Sequence, residues 1–134
     1  MSLPEARRAI ENGRRLVRDE VANGLDVALT GDMGIGNTTA SAALICALTQ
    51  LDPKDVVGRG TGIDDDALAR KRQAVSTALA VNAELIAQGP IEALAAVGGL
   101  EIAGLVGVIL EAAAARRPVV IDGFISGAAA LVAF

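Results

Sequence analysis

Residues 30–39, TGDMGIGNTT, place Gly31 and Gly36 at the spacing of a phosphate-binding loop, G-x-x-x-x-G-K-[ST]. The lysine of that pattern is replaced by Asn37, and Thr38 follows where a serine or threonine belongs. Amide N–H groups at a helix start lack intrahelical partners, and glycines let an anion approach them closely. A phosphate site is therefore physically sensible. Asn37 donates a hydrogen bond or caps the helix but carries no charge, so the loop disfavours a polyphosphate and favours a single phosphate or a ribose phosphate. It is not a dinucleotide fingerprint either: Gly34 and Gly36 fit its first two glycines, but Thr39 stands at the third. A tight strand-to-helix turn with Asn37 as an ordinary cap is the competing explanation.

A second glycine loop, VGRGTG at 57–62, shifts the balance, with Lys71 a few residues beyond it. An ammonium brought in from another segment could complete a monophosphate site; the alternative for Lys71 is a solvated helix face. Asp32 would repel a phosphate, so its carboxylate is expected to face a cationic centre, a ribose hydroxyl or a ring nitrogen, or simply to form the turn. Asp122 ends an apolar run at the position where parallel sheets bind ligands, and either a hydroxyl-binding or a loop-capping role suits it. Ser126 could donate to a ligand or cap the last helix.

The elements that must position these residues are legible in outline. PEARRAIENGRRLVRDEVANG shows Ala6, Ile10, Leu16, Val17 and Val21 at helical spacing, with Pro4 in a first turn and Gly24 as a stop. LDVALT, 25–30, reads as a buried strand, and TASAALICALTQL after the loop as a buried helix. Asp64 is placed to cap a helix running through Lys71 to about Asn82, with Asp65 and Asp66 favouring its dipole. IEALAAVGG and LEIAGLVGVILEAAAARR read as two further helices, VVIDG at 119–123 as a second strand, and FISGAAALVAF as a final helix. Strands alternating with helices predict an α/β fold: a parallel sheet flanked by helices, Rossmann-like and three-layered, in a single domain over 1–134. Two strands are few for such a domain, which points to a piece of something larger.

Composition narrows the function classes. The chain has 134 residues, 52% hydrophobic, with Phe124 and Phe134 its two aromatics. The core must be aliphatic, and no aromatic platform exists for stacking nucleic-acid bases. A net charge of −4 and short, acid-interleaved basic runs speak against nucleic-acid binding. The absence of histidine excludes a His-based triad or zinc site within these residues. Cys46, among apolar neighbours, reads as a small buried hydrophobe. The apolar stretches 102–110 and 118–134 are too short to span a bilayer, so no membrane association and a cytoplasmic location are expected.

With these segments side by side, GDMGIGNTTASAAL, VVGRGTGIDDDALARK, VGGLEIAGLVGVILEAA and PVVIDGFISGAAAL resemble, in order and spacing, the central part of nicotinate-nucleotide–dimethylbenzimidazole phosphoribosyltransferases. The resemblance runs from about Pro4 to the end. It implies transfer of the ribose 5-phosphate of nicotinate mononucleotide to 5,6-dimethylbenzimidazole, giving α-ribazole 5′-phosphate for the lower ligand of cobalamin and releasing nicotinate. It implies a homodimer and no metal or organic cofactor. By resemblance, Gly34, Gly36, Gly60 and Lys71 match positions around the ribose phosphate, Asp32 matches a glutamate at the reacting centre, and Met33 lies near the base; Asn37 and Thr38 of the same loop are taken as further phosphate or ribose contacts, and Asp32 and Lys71 as the catalytic pair. Family members carry Glu where this chain has Asp32, one methylene longer. They are also much longer, with flanking segments that help bind the benzimidazole and carry the glutamate taken as general base, so these residues alone are expected to be inactive or nearly so. The competing function class is a nucleotide-monophosphate-binding module without catalysis; a purely structural α/β domain predicts no monophosphate binding at all.

Overall fold

The computed structural model describes the whole sequence, Met1–Phe134. Helix α1 (Leu3–Ala22) opens with a reciprocal cap: Glu5 N–H donates to Ser2 Oγ, and Ser2 N–H donates to Glu5 Oε2 at 2.7 Å. It closes at Asn23, and Gly24 follows at φ +94°. Its buried face is Ala6, Ile10, Gly13 and Val17. Strand β1 (Ala28–Thr30) leads into the glycine loop. After it come α2 (Asn37–Thr49), α3 (Pro53–Val56), α4 (Asp65–Val81), α5 (Ala83–Ile86), α6 (Pro90–Val97) and α7 (Leu100–Ala114). Strand β2 (Val119–Ile121) and α8 (Gly123–Ala133) complete the chain. Asp64 caps α4 as expected, its Oδ1 accepting from Ala67 N–H at 2.7 Å.

The two strands pair in parallel, Ala28 with Val119, Leu29 with Val120 and Thr30 with Ile121. This bears out an α/β fold whose parallel strands are joined through helices. The strands are shorter than the apolar runs suggested, three residues each. Ala28 and Thr30 are buried, Ala28 against Val17 and Ala112, whereas Leu29 and Val120 on the opposite side are exposed. Leu29 retains 74% of its accessible surface.

The main core gathers Ile10, Leu44, Leu94, Ile102, Val106, Ile125 and Val132, and contains no aromatic ring. A second cluster, Ala42, Ala43, Cys46, Val57 and Val75, joins α2 to α4. Burial pushes the Cys46 thiol pKa up, as befits a packing residue. The most extensive helix pairing is α1 with α7, and glycine permits it. A Cβ on Gly13 would lie 2.1 Å from the Gly104 carbonyl oxygen, and one on Gly107 2.0 Å from that of Ile10. Charge ties the same pair: Glu111 on α7 accepts from Arg14 Nε at 2.8 Å and Arg18 Nε at 2.9 Å. Those two guanidinium groups hold the Glu111 carboxyl below its ordinary pKa. No helix is long and apolar enough to cross a membrane.

Candidate functional site

The loop between β1 and α2 is irregular and bends at Ile35 and Gly36, where Gly36 at φ +85° starts the helix. That left-handed conformation is open to glycine at little cost. The N-cap position of α2 is therefore Gly36, and no side chain caps the helix. Asn37, for which a capping role is the competing explanation, occupies the first helical position and is not the cap. Its amide nitrogen turns back to Asp32 Oδ1 at 2.7 Å. The leading amides of a thirteen-residue helix are thus left without a side-chain acceptor, at the positive end of its dipole.

Lys71 reaches this helix entrance from α4. Its Nζ donates to Thr38 Oγ1 at 2.9 Å and to the Gly58 carbonyl at 3.1 Å. It is half-buried, and burial lowers its pKa below the ordinary 10.5. Gly60 closes over the pair: a Cβ there would stand 3.4 Å from Thr38 Oγ1 and 3.6 Å from Lys71 Nζ, and its φ of +57° suits glycine. Gly34, Gly36, Asn37, Thr38, Arg59, Gly60 and Lys71 line a cavity of about 260 Å³. A neighbouring one of about 280 Å³ shares Thr38, Gly60 and Lys71 and adds Val56, Gly58 and Phe124. Helix-start amides without a side-chain cap, a hydroxyl and one ammonium line a cradle whose size and charge would suit a single phosphate.

Asp32 stands at the edge of the cradle. Its Oδ1 also accepts from Gly34 N–H at 2.8 Å, closing a short turn. It lines a separate groove of about 590 Å³ between α1 and α7, with Gly31, Arg8, Asn12, Leu16 and Leu105. The carboxylate thus bonds two cradle residues, Gly34 and Asn37.

The sequence pattern of a protein family described as a phosphoribosyltransferase matches residues 1–134. The chain belongs to the nicotinate-nucleotide–dimethylbenzimidazole phosphoribosyltransferase family. Relatives bearing that name include proteins of Roseiflexus sp. strain RS-1, 53% identical over 134 residues, and Chromobacterium violaceum, 53% identical over 133. The chain spans about 38% of the length of each. Two crystal structures from Thermus thermophilus share its fold. One, described as CobT, has a TM-score of 0.86 at 46% identity. The other, described as a nicotinate-nucleotide–dimethylbenzimidazole phosphoribosyltransferase, has a TM-score of 0.89 at 47% identity. Each is matched over 99% of this chain and less than two-fifths of its own.

Of the residues singled out from the sequence, the structure brings Gly34, Gly36, Asn37, Thr38, Gly60 and Lys71 to one cavity and places Asp32 beside it. Met33 is fully exposed and lines neither the cradle nor the groove. Asp122 precedes α8 with its side chain exposed and makes no capping bond. Ser126, which could donate to a ligand or cap α8, does not cap the helix. It lies inside the helix, fully buried, with its Oγ unpartnered, because α8 starts three residues earlier at Gly123. Two lining residues carried no usable signal in the sequence. Phe124 read only as a rare aromatic. Arg59 lay unremarked within VGRGTG; its guanidinium pairs with Asp65 and donates to the Ile63 carbonyl, bracing the second glycine loop.

Proposed function

We propose that these residues form the ribose-phosphate half of an active site that transfers the phosphoribosyl group of nicotinate mononucleotide to 5,6-dimethylbenzimidazole. The carrying observation is the Lys71 ammonium, 2.9 Å from Thr38 Oγ1 at the uncapped start of α2. The phosphate sits on the α2 amides and Lys71. A benzimidazole ring nitrogen attacks C1′ with its lone pair, the C1′–N bond to the pyridinium breaks, and that pair stays on the departing nicotinate. The benzimidazole then loses its N–H proton to a base. Positive charge gathers at C1′ in the transition state, and the Asp32 carboxylate, bonded to Gly34 and Asn37 of the cradle, is the group proposed to stabilise it. The product is α-ribazole 5′-phosphate, the precursor of the cobalamin lower ligand. Family likeness assigns the proton acceptor and part of the base pocket to segments outside residues 1–134. On this reading the chain alone binds the mononucleotide and turns it over little or not at all. The whole protein works as a cytoplasmic homodimer, with nicotinate mononucleotide and dimethylbenzimidazole as its small-molecule partners and no metal or organic cofactor.

Isothermal calorimetry with nicotinate mononucleotide tests the cradle, and product detection alongside it separates a catalyst from a module that only binds nucleoside monophosphates. Removing the ammonium by Lys71→Ala should weaken affinity about tenfold to a hundredfold, the range of a charge-assisted hydrogen bond. Affinity should also fall with rising pH before the ordinary lysine value of 10.5 is reached. Equal affinity in the Lys71→Ala variant would refute the assignment.

A further inference from the structure

Resting on the reading just given, we infer that Asn37 is a positioning residue for Asp32 rather than a phosphate ligand. Three observations converge. The Asn37 Nδ2 to Asp32 Oδ1 bond is short, at 2.7 Å. The Gly34 amide seats the same oxygen at 2.8 Å. Gly34 itself leaves room for the pair: a Cβ there would fall 2.5 Å from Asn37 Nδ2 and 2.9 Å from Asp32 Oδ1. Its φ is not in the left-handed region, so space, not backbone freedom, is what glycine supplies at this position.

The chemistry explains why a neutral donor stands where phosphate-binding loops place lysine. Both donors are neutral and both bonds fall on Oδ1, leaving Oδ2 free. A lysine at 37 would set an ammonium against Asp32 and cancel the charge needed beside a cationic sugar or pyridinium. The ammonium required by the phosphate comes instead from Lys71, whose contacts are Thr38 and Gly58 rather than Asp32. Two opposite charges thus serve one ligand without neutralising each other, and Asn37 keeps the carboxylate in place.

The test compares a ligand that has the cationic ring, nicotinate mononucleotide, with one that lacks it, ribose 5-phosphate. Both are titrated by calorimetry into the chain and into Asn37→Ala and Asn37→Lys variants whose far-ultraviolet circular dichroism matches the parent. The parent should prefer the mononucleotide. Asn37→Ala should cut that preference about tenfold, the worth of one hydrogen bond to a charged group, while ribose 5-phosphate affinity stays within about twofold. Asn37→Lys should also abolish the preference, and should hold or tighten ribose 5-phosphate binding. Equal weakening of both ligands by Asn37→Ala would make Asn37 a phosphate ligand and overturn the inference, leaving the proposed function standing. An unchanged preference in either variant, or no preference in the parent, would also overturn it. A parent that binds neither ligand would sink the proposed function and this inference together.

Discussion

Gly107→Ala should unfold this protein at a markedly lower temperature, although alanine is the better helix former. The new Cβ would lie 2.0 Å from the Ile10 carbonyl oxygen and 2.9 Å from the Arg14 amide nitrogen, both backbone atoms of α1. Real Cβ contacts essentially never fall below 3.0 Å, so α1 and α7 must separate by roughly 1 Å at the crossing. Such a gap forfeits about a quarter to a half of each dispersion contact across the seam, at ~0.1–0.2 kcal/mol per contact. Ile10, Ile102 and Val106 lie in the core beside that seam. If about fifteen contacts of each cross it, the three lose together about 2 kcal/mol. Residual strain adds about 1–3 kcal/mol, and the gain in helix propensity returns about 1 kcal/mol. The net is destabilisation of about 2–4 kcal/mol, or a fall in Tm of about 8–16 °C for a chain of this size.

The control lies one turn away. Gly104 is on the same helix, but its Cβ would meet nothing within 4 Å. Gly104→Ala should therefore raise stability by about 0.5–1 kcal/mol through propensity alone. Urea denaturation followed by circular dichroism reads both variants. Two substitutions of the same type in one helix must then move stability in opposite directions. If Gly107→Ala proves as stable as Gly104→Ala, the close backbone crossing does not exist as described.

Two further outcomes concern Glu111 and Ser126. Glu111 is held below its ordinary pKa by Arg18 and Arg14, so its contribution is present above the unfolded carboxylate value and fades as pH falls through the lowered folded one. Glu111→Gln should lower Tm at neutral pH, and the gap to the parent should close in acid; a gap independent of pH would count against the ion cluster. Ser126 Oγ is fully buried without a partner, so Ser126→Ala should be neutral or stabilising by up to about 1 kcal/mol, with mononucleotide affinity unchanged. A loss of affinity would support Ser126 as a ligand contact.

The sequence carried the parts of this fold that depend on local chemistry. Asp64 before an acidic first turn, Gly24 after α1, and a glycine loop between an apolar run and a helix are all signals contained within a few residues. The approach of Lys71 to Thr38 could be framed as an option, because two glycine loops and a lysine invite it, but the distance could not be read. What escaped was set by helix crossing. Gly13 and Gly107 look like weak helix positions until α1 and α7 meet. Phe124 reaches the cradle only because α8 packs against α2. The roles of Asn37 and Ser126 turned on where a helix begins, and a shift of one to three residues converts a cap into a side-chain partner or a buried hydroxyl.

The energetics of Lys71 tie these strands together. Its partners, a hydroxyl and a carbonyl, are neutral, yet the side chain is buried enough to lower its pKa. A partly desolvated ammonium without a counter-ion raises the free energy of the folded chain. The helix entrance it faces is uncapped, so the amides there are similarly under-satisfied. On the proposed reading a phosphate would offset both costs at once by bridging α2 to α4, which meet through the small cluster of Ala42, Ala43, Cys46, Val57 and Val75 and the Lys71–Thr38 hydrogen bond. If the proposed site is right, bringing the charge from a second helix rather than from the loop couples ligand to fold: a bound monophosphate would stabilise the α2–α4 packing, and by linkage anything that loosens that packing would weaken the grip on phosphate.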